Sequence, residues 1–459
     1  MKILLVQPNS SPQNVGFNNL TVPEPLALEL VAASVPEHHE VRILDMRLEP
    51  GLDAVLADYQ PQVLGVTGFT ADVPQAQEVC RRTAALLPSC RVVMGGHHAS
   101  LRPEDFNMPE VHFIVVGEGE FTFPDLVKAL EDGTDTRKVD GIFYNEDGRQ
   151  VFSGPRPPVK DLDQVPRPRR DLTAQYRSNY YFRFWDAIYT LETARGCPYR
   201  CYFCSVWKFY QGKCRTKSPE RVVDELAELP GDYVCFVDDN FLQDIRRAER
   251  IYQLIVERGI KKKYWMQART DSIARNPRVI AHWAEIGLST ILVGFEKFRE
   301  EELATLNKKS SIALNEKAVE IMHRYGVDIW GAFIVDPAWD EEDFTALIEY
   351  VRSFKISFPQ FTILTPLPGT DFFQQRYHEF LTYKYDHFDF FHSVLPTKMP
   401  LRQFYENMAR LYANTAMSLS ELKARIRRGD IPSTSLKRVR GMLSQLTNPD
   451  AYLRGADTP

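Results

Sequence analysis

The chain has 459 residues, 44% of them hydrophobic and 25% charged, with a formal net charge of −5. This is ordinary globular composition and excludes a disordered chain. The acidic balance argues against sequence-independent nucleic-acid binding, which calls for a basic excess.

At roughly 100–200 residues per domain, the length predicts two or three domains. The opening MKILLVQPNS is too short and polar for a signal peptide and reads as a first buried strand. No run approaches the ~18 apolar residues of a membrane span, so a cytoplasmic protein is expected. Strand-like runs at 2–6, 41–44, 63–67, 91–94 and 113–116 alternate with helical patterns such as 26–34 and 75–87. Short apolar runs separated by helices predict parallel strands buried on both faces. Five such βα units over 1–135 predict a doubly wound, Rossmann-like sheet, which binds ligands outside the carboxyl ends of its strands. Residues 136–187 break the rhythm with a hairpin at 140–154, a proline-dense linker and an aromatic stretch at 180–185. The alternation resumes over 188–370, with strands near 188–193, 233–237, 264–268, 290–293, 329–335 and 360–364. Six βα units fit a partial (β/α)6 barrel, whose working end is again the carboxyl end of its strands. Residues 371–459 read as a helical C-terminal region.

Seven cysteines are present, at 80, 90, 197, 201, 204, 214 and 235. An odd number with three inside eight residues argues against a disulfide framework and for metal or redox chemistry. The sequence Glu192-Thr-Ala-Arg-Gly-Cys197-Pro-Tyr-Arg-Cys201-Tyr-Phe-Cys204 follows the first strand of the second domain. Three thiolates on one loop can ligate three irons of a 4Fe-4S cluster and leave the fourth iron open. Zinc is the competing reading: it usually takes four ligands, and Cys214 supplies a fourth thiol ten residues on.

The Cys-x3-Cys-x2-Cys loop resembles that of the radical S-adenosylmethionine (SAM) superfamily. The resemblance implies that Cys197, Cys201 and Cys204 hold the cluster and that SAM chelates its open iron. It further implies SAM contacts at four strand ends: Asp238 and Asp239 for the amino group, Arg269 for the carboxylate, Glu296 for the ribose, and 365–370 for the adenine. A doubly wound domain ahead of such a barrel is similar to the cobalamin-binding branch. There Gly95-Gly96-His97 and Gly117-Glu118-Gly119 resemble the glycine-rich loops on which the corrin lies. The Asp-x-His-x-x-Gly motif that supplies a lower cobalt ligand in other cobalamin proteins is missing after the first strand, where the chain reads Gln7-Pro-Asn-Ser-Ser-Pro-Gln.

The segments Glu24-Pro-Leu-Ala-Leu-Glu-Leu and Phe391-His-Ser-Val-Leu-Pro-Thr resemble the hopanoid C-3 methylase group, with anaerobic magnesium-protoporphyrin ester cyclases as more distant relatives. This implies methylation of an unactivated carbon of a small or lipid-like substrate, with one SAM as radical source and another as methyl source through cobalamin. It also implies a one-electron reductant such as flavodoxin or ferredoxin. Such chemistry needs no protein acid–base dyad at the C–H step, and no catalytic side chain is singled out. Radical cyclisation, rearrangement or oxidation without methyl transfer is the first alternative, and a non-catalytic iron–sulfur or cobalamin carrier the second. The basic segment 421–440 admits peripheral membrane contact, against the simpler reading of a solvated helix face. The aromatic groups at 180–185 and 388–391 are candidates for an apolar pocket.

Overall fold

The computed structural model describes residues 1–15, 20–428 and 431–454. It divides into two compact units: Met1–Asn14, Glu24–Asn179 and Lys384–Asp386 form one, and Val15–Pro23, Tyr180–Tyr383 and His387–Pro459 the other.

In the first unit, β1 (Lys2–Gln7), β2 (Glu40–Asp45), β3 (Val63–Val66), β4 (Arg91–Met94) and β5 (Phe113–Val115) pair in parallel in the order β2-β1-β3-β4-β5. Successive side chains leave opposite faces of a strand, and the cores follow that rule. Leu4, Val6, Leu64 and Met94 pack with Leu56 and Val79 of helices on one face. Ile3, Leu5, Val63 and Val93 pack with Leu28 and Leu126 of helices on the other. The strand order reverses between β1 and β3, the position at which such sheets open a crevice for ligands. This is the doubly wound domain expected from the sequence.

The hairpin was expected to open a linker. Instead β6 (Ile142–Glu146) and β7 (Arg149–Phe152) pair antiparallel and extend the first sheet from β5. The turn residues Asp147 and Gly148 both have positive φ, 51° and 77°, as a two-residue hairpin loop of matching twist requires. An uncovered β5 edge would leave a row of unpaired backbone groups, so the structure gathers 136–179 with the first unit.

In the second unit, β8 (Tyr189–Leu191), β9 (Tyr233–Phe236), β10 (Lys263–Arg269), β11 (Leu288–Glu296), β12 (Asp328–Val335) and β13 (Phe358–Ile363) form one parallel sheet in sequential order. The connections are helical, including Pro219–Glu228, Ile245–Glu257, Pro277–Glu285, Ile312–Arg324 and Glu341–Ser353. This is the six-stranded partial barrel. Helices Leu401–Thr415, Leu419–Arg428 and Ser435–Leu446 follow.

The aromatic stretch lies at the N-terminal ends of the barrel strands. Phe182 meets Trp265 and Trp330 at 4.6 and 5.2 Å between ring centroids, Phe184 meets Phe358 at 5.2 Å, and Trp185 stacks on Tyr233 at 5.0 Å. These partners are among the first residues of their strands, so the stretch packs the end opposite the cysteine loop. In the basic C-terminal segment, Leu422 is buried with Ile431 and Val439. Its apolar positions therefore face inward, and Lys423 and Arg427 are exposed; residues 429–430 lie outside the described residues. Among the described residues no helix is long and apolar enough to cross a membrane.

Trp283, on the helix beneath β9 and β10, is fully buried among Phe236, Phe241 and Tyr264 and donates its indole N–H to Ala248 O at 3.2 Å. Trp283→Ala is expected to cost about 3–5 kcal/mol, read as a lowered denaturant midpoint.

Candidate functional site

The cysteine loop leaves the carboxyl end of β8 and is anchored by a carboxylate from the next strand. Asp238, two residues past β9, is 1% exposed. It accepts the Thr193 N–H at 2.6 Å, the Ala194 N–H at 3.0 Å and the Thr193 hydroxyl. Burial pushes its carboxyl up to about 6, while these bonds and Arg247 oppose the rise. Arg247 donates to Thr193 O at 2.8 Å and Lys217 O at 2.9 Å, and Ala194–Arg195 pairs antiparallel with Arg215–Thr216. Both stems of the loop are thereby held. Gly196 turns the chain into the cysteines at φ +85°, and a Cβ there would lie 2.2 Å from Lys213 O. Only glycine fits. Its N–H donates to Asp239 Oδ2 at 3.1 Å.

Cys197 and Cys204 are half-buried and Cys201 is buried, all three as free thiols. Burial pushes Cys197 up to about 11 and Cys204 up to about 12, and raises Cys201. Without a bound cation these thiols stay protonated at neutral pH; metal ions supply the charge that makes them ligands.

Around the loop stand the other strand ends. Arg269, the last residue of β10, is 7% exposed. It donates to Asp271 at 2.9 Å and to Lys308 O, and its guanidinium lies 3.5 Å from the centroid of Tyr199, inside the cysteine loop. Glu296 ends β11 in left-handed backbone, φ +65°, and pairs with Lys308 Nζ at 2.5 Å. Asp239, half-buried, is pushed up to about 7 by burial and by Asp238. The structure thus brings Asp238, Asp239, Arg269 and Glu296 to the carboxyl ends around the three cysteines. It also shows that both oxygens of Asp238 are engaged by the loop stem. The segment 365–370 follows β13, where Thr370 caps the helix Asp371–Arg376. That helix reaches the loop through Gln375 to Tyr202 at 2.7 Å and Asp371 to Lys208 at 2.7 Å.

One residue of the polar run after β9, read from the sequence with Asp238 and Asp239, stands out here, and one feature escaped the sequence reading. Asn240 is 1% exposed, and neither its amide nitrogen nor its oxygen has a hydrogen-bond partner among the described residues. A buried amide is costly to leave unpaired, so this side chain beside Asp239 has both a donor and an acceptor to offer. The feature that escaped is the turn 306–310. Leu306 O accepts the Tyr202 N–H at 3.0 Å, Asn307 donates to Arg200 O at 2.9 Å, and Thr270 and Ser310 share a hydrogen bond of 2.8 Å. The Lys308 and Arg269 cations pull the Cys201 thiol back toward ionisation. A polar run Asn-Lys-Lys-Ser-Ser directly behind a short helix was the only available signal.

In the first unit, the carboxyl ends of β3, β4 and β5 carry the glycine-rich loops. Gly96 has φ +91°, and a Cβ there would lie 2.4 Å from Thr67 Oγ1 and 3.1 Å from Gly68 N, so its bare backbone lets the loops after β3 and β4 meet. Ser100 donates to Gly96 O at 2.7 Å and accepts the Gly117 N–H at 2.9 Å, tying Gly95–Gly96 to Gly117 and Gly119. Glu118 accepts the Val159 N–H at 2.8 Å. His98 is buried with both ring nitrogens engaged, 3.2 Å from Thr70 Oγ1 and 3.0 Å from Asp105. His97 is half-buried beside Phe69, ring centroids 5.9 Å apart. Burial pushes it down to about 4, so it is neutral at physiological pH. Phe69, 69% exposed, is a large apolar side chain left open at this edge. Bare glycine backbone beside an open aromatic ring fits a large flat ligand.

Gly196→Ala is expected to abolish iron loading on reconstitution while the fold, read by circular dichroism, persists. Lys308→Met removes a cation beside Cys201, so in cluster-free protein the alkylation of Cys201, followed by mass spectrometry, is expected to move to higher pH.

Comparison with protein families matches residues 191–351 to the radical SAM superfamily and residues 17–127 to the B12 binding domain. The chain is 30% identical over 420 residues to the hopanoid C-3 methylase of Methylococcus capsulatus, covering 89% of this chain and 79% of that protein. It is 25% identical to the anaerobic magnesium-protoporphyrin IX monomethyl ester cyclase of Cereibacter sphaeroides, over 75% of this chain and 58% of the relative. In fold it is similar to the radical SAM methyltransferase TsrM of Kitasatospora setae, solved with tryptophan and a SAM analogue, with a TM-score of 0.68 at 18% identity over 99% of both chains. With its three-cysteine loop on a six-stranded partial barrel and its doubly wound domain ahead of it, this chain belongs to the radical SAM superfamily, in the branch that carries a B12 binding domain.

Proposed function

We propose that the chain is a cobalamin-dependent radical SAM methyltransferase that methylates an unactivated carbon of a small or lipid-like molecule. The observation that carries this is the coexistence, in one chain 30% identical to a methylase, of a B12 binding domain and three cysteines at the carboxyl end of β8 with an unpaired buried amide, Asn240, among their neighbours. Cys197, Cys201 and Cys204 would hold a 4Fe-4S cluster. Asp239, Asn240, Arg269 and Glu296 would hold SAM. Gly95, Gly96, His97, Gly117, Glu118 and Gly119 would border cobalamin. These groups when bound supply hydrogen-atom abstraction and methyl delivery. The chain's own residues bind and orient. Asp238 and Arg247 keep the loop stem rigid, and Arg269 and Lys308 set the charge beside Cys201. The buried strand ends keep water from the reacting carbon. A flavodoxin or ferredoxin would supply the electron. All seven cysteines are free, as in a reducing cytoplasm.

Similarity to the ester cyclase favours radical ring closure as the second reading. The test is anaerobic purification from cells supplied with cobalamin, followed by assay with SAM labelled in its methyl group. The expected result is about one bound cobalt, four irons, 5′-deoxyadenosine formation under a strong reductant, and a labelled methyl in a product from apolar cell extract. Cys201→Ala is expected to keep cobalt and lose iron and SAM cleavage. Cleavage with an unlabelled product would move the assignment to cyclisation. Bound cofactors without cleavage would make the protein a carrier.

A further inference from the structure

At the N-terminal ends of the barrel strands, away from the cysteine loop, Arg183 sits in left-handed backbone, φ +51°. Its backbone N–H donates to Leu20 O at 2.7 Å. Its guanidinium carbon lies 4.2 Å from the ring centroid of Trp330 and 4.1 Å from that of Phe358, neighbours in register on β12 and β13. The rings attract the cation but contain no hydrogen-bond acceptor. Nε and Nη1 are shielded from solvent and have no partner among the described residues. The carboxylate that could serve them, Asp328, is taken by Arg425, which donates to both its oxygens at 2.7 and 3.1 Å. Burial pushes the guanidinium down to about 9, which leaves it a cation at neutral pH.

Arg183 lines a mainly apolar cavity of about 50 Å³, together with Leu20, Phe184, Tyr412, Met442 and Leu446. The side-chain oxygens of Gln360, Ser357 and Tyr412 in its wall are engaged. Gln360 accepts the Trp330 indole N–H at 2.7 Å, Ser357 accepts the Ile329 N–H at 3.2 Å, and the Tyr412 hydroxyl bonds Phe361 N and O at 3.0 and 2.9 Å. The volume exceeds the ~10–15 Å³ that one water needs and falls well short of the ~150 Å³ of an engineered cavity that takes benzene. An acyl chain is too large for it. Water would satisfy the N–H groups but leave two cations, Arg183 and Arg425, sharing the one carboxylate of Asp328, and a shielded cation without its own counter-ion is unfavourable.

We propose that this cavity binds one small monovalent anion, a halide or the carboxylate of a short acid, on Nε and Nη1 of Arg183. The site is independent of the cluster, SAM and cobalamin, and neutralises the end of the barrel that the aromatic stretch packs.

The test uses crystals of the complete holoenzyme soaked in sodium bromide and read by bromine anomalous scattering. A bromide within hydrogen-bond reach of Nε and Nη1 is expected, as is its loss when acetate competes if the natural occupant is a carboxylate. In solution, bromide or acetate exchanged for gluconate at constant ionic strength is expected to raise the thermal midpoint saturably. Arg183→Met keeps the side chain's length and should abolish that rise. Waters alone at Arg183, bromide only elsewhere on the surface, or the same anion response in wild type and Arg183→Met would each overturn the proposal. Should Arg183→Met fail to fold, the anomalous map of the wild type decides.

Discussion

The second unit depends on one buried carboxylate. Asp238 takes two backbone N–H groups and a hydroxyl from Thr193 and Ala194, where β8 ends and the cysteine loop begins. A loop whose thiols must meet a preformed geometry cannot be left to its own entropy. The carboxylate fixes where the loop starts, Arg247 ties the start to the return at Lys217, and Gly196 sets its direction. The neighbouring Asp239 holds the Gly196 N–H. Of the aspartate pair expected to meet SAM, Asp238 serves the loop with both its oxygens, while Asn240 has no hydrogen-bond partner among the described residues.

The rest of the loop is held from three further strand ends by different means. Tyr199 lies against Arg269; Tyr202 and Arg200 are caught by the turn at 306–307; Tyr202 and Lys208 reach the helix after β13. Backbone and side-chain hydrogen bonds share this work, and the sulfurs themselves are met by the Tyr199 and Val206 amides and by Arg269. Lys308 joins this scaffold to the electrostatics, since one ammonium pairs with Glu296 and favours ionisation of Cys201. In the first unit the equivalent economy falls to Ser100, whose hydroxyl ties two glycine loops that have no side chains of their own to interlock.

Much of this was legible in the sequence, because it rests on local pattern. Alternating strand and helix periods determined two successive βα units, and cysteine spacing directly after a strand marked the loop that resembles the radical SAM one. The residues closing β9, β10 and β11 could be named as site candidates because side chains at the carboxyl ends of parallel strands converge, whatever the intervening helices contain.

What only the tertiary structure decided are the matters that depend on which partner arrives first. The hairpin at 142–152 joined the first sheet because β5 offered an open edge. The aromatic stretch went to the N-terminal ends of the barrel strands, where Trp265, Trp330 and Phe358 waited, away from the cysteine loop. Asp238 was claimed by two amides, while Asn240, next but one in the chain, was left unpaired. None of these outcomes has a sequence period. Each is set by long-range competition for hydrogen bonds and apolar surface, whereas the fold class and the cysteine loop follow from neighbours along the chain.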